Sequence, residues 1–281
     1  MDSAGRVHVM AQAIPLVTRA SPIPYGGART EFALTQAILM ARAGWWRGRA
    51  AFDLTLDAEG LTMPGGELSL GAFGEGFVDR RHPHTYLHEA MLSGVAHAGP
   101  VALSASVGRG FAPFGTDDPM MRPFAKYPVN HHLAQILERG VAMAAARVGP
   151  VILEGATFTG EEPEHPSSLP MPSRFGDSWS VRGTMLPAAW AELQLSHARV
   201  ASPEMRSGFG LNQRKWSASA RGASRDGSRY ALAEWARTVE HDHLRREDAF
   251  AYATMLVEGT VQRAQSRLRV SVRLVSVEND R

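Results

Sequence analysis

The sequence predicts an all-β protein, an up-and-down antiparallel transmembrane β-barrel of about 12 to 14 strands. Two observations predict it. Apolar and polar residues alternate along many segments, which is the period of a strand and not of a helix. The segments are joined alternately by short turns and by long loops rich in proline and glycine. This wiring is typical of a barrel with short turns at one rim and long loops at the other, so we expect residues 1–281 to form one barrel domain.

Strand-like alternation recurs along the whole chain, and the last segment shows it most clearly. There Arg267, Arg269 and Arg273 fall on one face, whereas a helix would distribute them around its circumference. The predicted strands are 6–13, 31–44, 49–57, 85–96, 101–110, 136–147, 151–160, 177–186, 190–199, 213–222, 229–239, 249–260 and 265–276. An odd strand count does not close such a barrel. We therefore expect truncation at the C-terminus, or a closing strand supplied from elsewhere.

The connections between these segments alternate in length. Short links fall near 45–47, 97–100, 148–150, 187–189, 222–227 and 261–264, and long ones near 15–29, 58–83, 111–133, 160–176, 202–212 and 240–248. Residues 66–77 also alternate between apolar and polar side chains. If this segment crossed the barrel as a strand, every later short turn would lie at the opposite rim. We therefore place 66–77 within the second long loop, as a rim hairpin or an inward fold.

Composition excludes several classes of protein. The formal net charge is only +2, and no basic helix or basic strip with interleaved aromatics predicts nucleic-acid binding. The chain has no cysteine, which excludes disulfide scaffolds and thiol nucleophiles. No apolar run is long enough for a transmembrane helix. Residues 1–14 lack the pattern of a signal peptide.

Aromatic residues near the predicted strand ends favour a membrane barrel, because such residues form interfacial girdles. They are Trp45, Trp46, Trp179, Trp190, Trp216, Phe250 and Tyr252. The alternative is a soluble β-protein in which the same residues form the core. A bacterial outer membrane is the expected location, with its lipid as a partner and a homo-oligomer allowed.

Three loop segments resemble a known family. They are Glu75 to His84, with Asp79 and Arg80 opening Asp-Arg-x-His-Pro-His; Phe114 to Pro119, with Asp117 and Asp118; and Tyr127 to His132, ending in His131 and His132. The sequence resembles an uncharacterised bacterial outer-membrane β-barrel family with this signature, which is porin-like. The resemblance implies a fold and a location in Gram-negative bacteria more than an activity.

Three histidines at even-numbered positions of one segment are candidate metal ligands. His82, His84 and His88 would project to one side of an extended chain, and imidazole suits Zn, Cu or Ni. The alternative is that Pro83 interrupts the strand and the histidines brace the loops. No cofactor is otherwise expected.

Charged residues on the polar faces are candidate pore-lining groups. They are Arg182, Arg221, Arg267, Arg269, Arg273 and Glu192. Their arginines would favour anions unless carboxylates on neighbouring strands neutralise them. The first hypothesis is thus a porin-like transport channel for small polar or anionic solutes, constricted by loops 58–83 and 111–133, without catalysis. The alternatives are a barrel that binds metal or docks a partner through the His82 loop, and a soluble β-barrel enzyme with that loop as its active site.

Overall fold

The computed structural model describes residues 5–20, 29–62, 85–116, 135–242, 244–263 and 266–279. Within these ranges thirteen strands form one sheet in sequence order, each antiparallel to its neighbour. They are β1 (Arg6–Ala20), β2 (Arg29–Trp45), β3 (Ala50–Asp57), β4 (Leu87–Ala98), β5 (Val101–Gly110), β6 (Arg139–Val148), β7 (Val151–Phe158), β8 (Ser178–Ala188), β9 (Ala191–Val200), β10 (Asn212–Ala223), β11 (Arg229–Asp242), β12 (Glu247–Arg263) and β13 (Ser266–Asn279). The predicted up-and-down all-β class is confirmed.

Helical structure is confined to single turns in this part of the chain. They are α1 (Glu59–Thr62), which follows β3, and 3-10 turns at Trp46–Gly48 and Pro172–Arg174. No helix among the described residues is long and apolar enough to cross a membrane.

The sheet is curved, and its two edges are β1 and β13. Within the described ranges β1 pairs with β2 and β13 with β12, and no pairing joins the edges. The curvature is shown by Gly115, which follows β5 and yet reaches two later strands. Its N–H donates to Ser196 Oγ on β9 at 2.9 Å, and its carbonyl accepts from Arg182 on β8 at 3.1 Å. The chain after β5 therefore folds into the concave side.

The two faces of the sheet differ in polarity in the sense expected for a membrane barrel. On β9, Leu195 is 68% exposed, whereas its neighbour Ser196 is 9% exposed. The same alternation, with apolar residues on the convex face and polar ones on the concave face, continues along β8 and β10. A soluble β-protein would show the reverse.

The predicted aromatic girdles are confirmed for five of the seven residues. Trp45, Trp46 and Trp190 lie at the short-turn rim, and Trp179 and Trp216 lie near the loop rim. Phe250 and Tyr252 are the exceptions, because they share the face of the buried Thr254 and stack on each other with ring centres 6.4 Å apart.

The concave side holds an apolar cluster near the loop rim. It comprises Ala112, Phe114, Ile136, Val141, Phe158, Ala198 and Val200. Residues 111–116 therefore form an inward-folded loop, as expected for the start of 111–133. The rest of that loop and the ambiguous segment 66–77 lie outside the described residues.

Candidate functional site

A buried polar cluster lies at the loop rim, between the starts of β4 and β6 and the end of β5. We call Thr85, His88, Arg109 and Glu138 the rim cluster, and all four are buried. Glu138 Oε1 is its centre. It accepts hydrogen bonds from the backbone N–H of Thr85 at 2.8 Å, the hydroxyl of Thr85 at 3.0 Å and Nδ1 of His88 at 2.7 Å. A carboxylate thus holds an imidazole that has no exposed surface.

Arg109 connects this centre to the loop that covers it. Its Nη2 donates to Thr85 Oγ1 at 2.6 Å, and its Nη1 donates to the carbonyl of Ser168 at 2.8 Å. The same loop between β7 and β8 accepts a hydrogen bond at the Pro166 carbonyl from the N–H of Tyr86, at 2.8 Å. The cluster is therefore enclosed by backbone of the β7–β8 loop.

Three departures from regular strand geometry bring the charged groups together. His88 is the extra residue of a β-bulge, since Thr55 pairs with Glu89 and Leu56 with Leu87. Glu138 has a φ of 60°, and Gly108, which precedes Arg109, has a φ of 149°. Bulges redirect side chains, and unusual backbone conformations concentrate at functional sites.

The hydrogen bond to Glu138 determines the tautomer of His88. A carboxylate accepts but does not donate, so Nδ1 carries the proton and the basic lone pair belongs to Nε2. The pair has the chemistry of a general base and the residue that orients it.

Further acidic and basic groups surround the cluster. Glu89 accepts from the hydroxyl of Thr55 at 3.1 Å, and Arg139 donates to Glu162 at 2.8 Å. Asp57 accepts from the backbone N–H of Glu59 at 2.7 Å at the start of α1. Titratable groups are thus concentrated at this end of the sheet.

Sequence reasoning selected His88 but missed its three companions. Thr85, Arg109 and Glu138 lie on different segments, and nothing in their local sequence marks them as a group. Of the other predicted loop residues, Asp79, Arg80, His82, His84, Asp117, Asp118, His131 and His132 lie outside the described residues. Within the described ranges there is no group of three side chains that could hold a metal ion.

The predicted pore-lining residues form ion pairs where their side chains are described. Arg182 donates to both oxygens of Glu154, at 2.6 and 2.9 Å. Arg221 donates to Glu192 at 2.6 Å, so two predicted pore residues neutralise each other. The backbones of Arg267, Arg269 and Arg273 lie on β13, opposite Gln262, Thr260 and Leu256 of β12.

Polar groups on the concave face are buried. Lys215 is 3% exposed, and Glu234 and Glu258 are each 2% exposed. Groups that line a water-filled pore remain exposed to water, so these three charged side chains do not line one.

Comparison of whole folds relates the chain to solved bacterial structures. In-vitro folded OmpT in its trimer form, an outer membrane protein of Vibrio cholerae, matches with a TM-score of 0.50 and 10% identity, over 98% of this chain and 90% of that one. Its fold is that of an outer-membrane β-barrel. A loop L8 deletion mutant of OmpT (TM-score 0.48, 11% identity, 99% and 95% coverage) and another in-vitro folded OmpT (0.48, 10%, 99% and 89%) also match.

The sequence matches no protein-family profile and no curated protein. Membership of the Asp-Arg-x-His-Pro-His family therefore stays a prediction. The outer-membrane location predicted from the sequence is confirmed, since the fold and the apolar convex face agree.

The expectation of a porin-like channel without catalysis is wrong. Among the described residues, the predicted pore-lining arginines of β8 and β10 are paired with carboxylates, and other charged groups of the concave face are buried. The expected absence of catalysis was drawn from that channel and is corrected with it, because the rim cluster assembles an acid–base pair.

Proposed function

We propose that this protein is an outer-membrane enzyme that hydrolyses its substrate at the loop rim, with the rim cluster as its active site. The observation that carries the proposal is the 2.7 Å hydrogen bond between His88 and Glu138, two buried titratable side chains brought together by a bulge and by a positive φ. A hydrogen bond that only stabilised the fold would require neither the bulge at His88 nor the positive φ at Glu138.

The reaction follows from the protonation states. Nε2 of His88 takes a proton from a water molecule, whose oxygen attacks an ester or amide carbonyl. Glu138 stabilises the resulting imidazolium, which then gives its proton to the leaving group. The guanidinium of Arg109 stabilises negative charge on the carbonyl oxygen. Small polar or anionic molecules are the substrate class that this positive charge favours.

Access requires movement of the covering loop. The hydrogen bonds from Tyr86 to Pro166 and from Arg109 to Ser168 both end on backbone carbonyls of that loop. Substrate binding would replace the Ser168 carbonyl as the acceptor of Arg109.

The test is hydrolysis of a panel of chromogenic esters and fluorogenic peptides by protein in vesicles. We expect His88→Ala and Glu138→Gln to lower the rate on a hydrolysed probe about 10²- to 10⁴-fold, the usual size of general acid–base catalysis. His97→Ala is the matched control, because His97 lies exposed at the other end of β4. Equal rates for all four proteins, or no probe hydrolysed by the wild type, would contradict the proposal.

A second candidate function is metal binding by His82, His84 and His88. The bond from Nδ1 of His88 to Glu138 favours it, because histidines that ligate metals commonly donate their other N–H to a carboxylate. Elemental analysis of chelator-free protein should then find Zn, Cu or Ni, and a His82→Ala/His84→Ala double variant should lose it. Hydrolysis that continues in the presence of a chelator would favour His88 as a general base over a metal-dependent reaction.

We also propose that the protein forms a homo-oligomer. The matched OmpT structure is described as a trimer, and the convex face of this chain exposes apolar residues on most of its strands.

A further inference from the structure

Two arginines lie directly opposite each other on the convex face near the loop rim. Arg199 of β9 pairs with Arg214 of β10 in the sheet register. Opposite residues in antiparallel strands have Cβ atoms about 5 Å apart, and like charges in this position destabilise a sheet. The register therefore brings together two permanent positive charges that require compensation.

The protein itself compensates only one of them, and weakly. Arg214 lies 3.3 Å from Asp248, a carboxylate that also accepts from His241 at 2.9 Å. Both side chains of this ion pair are about half exposed, and such pairs contribute little to stability. Within the described part of the chain, the exposed guanidinium of Arg199 has no ion-pair or hydrogen-bond partner.

Aromatic rings beside the arginines show where this surface meets the membrane. His197 stacks on Trp216 with ring centres 5.1 Å apart, and Trp179 meets the edge of His197 at 5.3 Å. His197 Nδ1 donates to the carbonyl of Lys215 at 2.8 Å, which holds the imidazole in the row. Tryptophan in such a row lies at the level of lipid headgroups.

We propose that Arg199 and Arg214 bind the phosphate of a lipid headgroup in the outer leaflet. Long loops of outer-membrane barrels face the cell exterior, so this surface lies in that leaflet. A phosphate bridging the two guanidinium groups removes their repulsion and forms charge-assisted hydrogen bonds. The row of Trp179, His197 and Trp216 packs against the lipid next to the headgroup. This site lies on the opposite face of the sheet from Ser196 and does not depend on catalysis at the rim cluster.

The test measures quenching of tryptophan fluorescence by lipids with brominated acyl chains, in micelles of an uncharged detergent. Brominated phosphatidic acid is compared with brominated diacylglycerol, which lacks the phosphate. We expect Arg199→Ser/Arg214→Ser to weaken binding of the phosphatidic acid roughly thirtyfold, and the corresponding double lysine variant to retain most of it. Binding of diacylglycerol should not change.

Arg225→Ser/Arg229→Ser is the matched control, because these exposed arginines lie in and beside the turn between β10 and β11, at the other rim. A folded barrel is verified for every variant by its heat-modifiable mobility in SDS. Equal binding of the two lipids, or unchanged binding in the Arg199/Arg214 variant, would overturn the proposal. Complete displacement by inorganic phosphate would assign the site to free phosphate and would overturn it as a lipid site.

Discussion

Gly108 is a residue on which the geometry of the rim cluster depends. Its φ of 149° favours glycine, and a Cβ atom at this position would lie 2.0 Å from the carbonyl oxygen of Ala90. The side chain that follows belongs to Arg109, so the backbone conformation that glycine allows at position 108 directs the guanidinium into the cluster.

Gly108→Ala should therefore lower the free energy of unfolding by about 2 kcal/mol or more. The measurement is urea unfolding in detergent micelles. Gly155→Ala is the control, because the nearest atom to its added Cβ is the carbonyl oxygen of Ser180 at 3.9 Å. Equal stability of the two variants would show that the backbone at Gly108 adapts without cost.

Asp226, in the short turn between β10 and β11, makes the free energy of unfolding depend on pH. Hydrogen bonds from the hydroxyl of Ser224 and from the backbone and hydroxyl of Ser228 lower the pKa of this exposed carboxyl from 3.8 to about 2. The folded protein then binds fewer protons than the unfolded chain between these two values. The stabilisation is present above pH 3.8 and is lost as the pH falls towards 2.

Asp226→Asn should flatten this part of the pH profile. Thermal unfolding midpoints of the wild type should fall between about pH 4 and pH 2 by more than those of the variant. Glu164→Gln is the comparison, because Glu164 is an exposed carboxylate of the β7–β8 loop, at the other rim. Parallel profiles for wild type and Asp226→Asn would contradict the argument.

At the scale of elements, the loop after β5 is held inside the sheet by two polar contacts to Gly115. They come from Arg182, which also pairs with Glu154, and from Ser196. The loop is also held by Ala112 and Phe114 in the apolar cluster, so loss of both polar contacts should loosen it.

Arg182→Lys/Ser196→Ala should accelerate proteolytic cleavage within residues 111–134 several-fold, because lysine keeps the charge but loses the fork that bonds Glu154 and Gly115 together. Limited proteolysis followed by mass spectrometry locates the cut. Arg221→Lys is the control, since Arg221 also pairs with a carboxylate of the neighbouring strand, Glu192 of β9. Equal cleavage rates in the wild type and the Arg182/Ser196 variant would show that these two contacts do not hold the loop.

Strand positions were predictable where alternation is regular, and bounds were missed where it is interrupted. The segment 101–110 was predicted as observed, because its alternation is regular from Val101 to Gly108 and a long loop follows Gly110. β1 was predicted to end at residue 13 and ends at Ala20. A register shift between Gln12 and Ile14 displaces the pattern there, and pairing with β2 continues past it.

At the scale of the whole molecule, the described strands expose large apolar side chains on the convex face, so the stability of the protein requires a lipid or detergent environment. We expect extraction from membranes only with detergent, and a shift of mobility in SDS on boiling, because the hydrogen-bonded sheet resists SDS at room temperature. A monodisperse protein without detergent would contradict the assignment of the convex face to lipid. Such a result would restore the soluble enzyme considered from the sequence.

The up-and-down all-β fold follows from the sequence alone, because strand alternation and loop lengths are local properties that can be read along the chain. Alternation left open whether the apolar face meets lipid or a protein core, and the exposed apolar residues of the folded sheet decided it. The rim cluster does not follow from the sequence. Thr85, Arg109 and Glu138 come from three segments, and their convergence depends on a bulge at His88 and a positive φ at Glu138. The same holds for Arg199 and Arg214, whose proximity is a matter of strand register. Contacts of this kind arise between distant segments only when the sheet has formed, so tertiary structure alone defines both proposed sites.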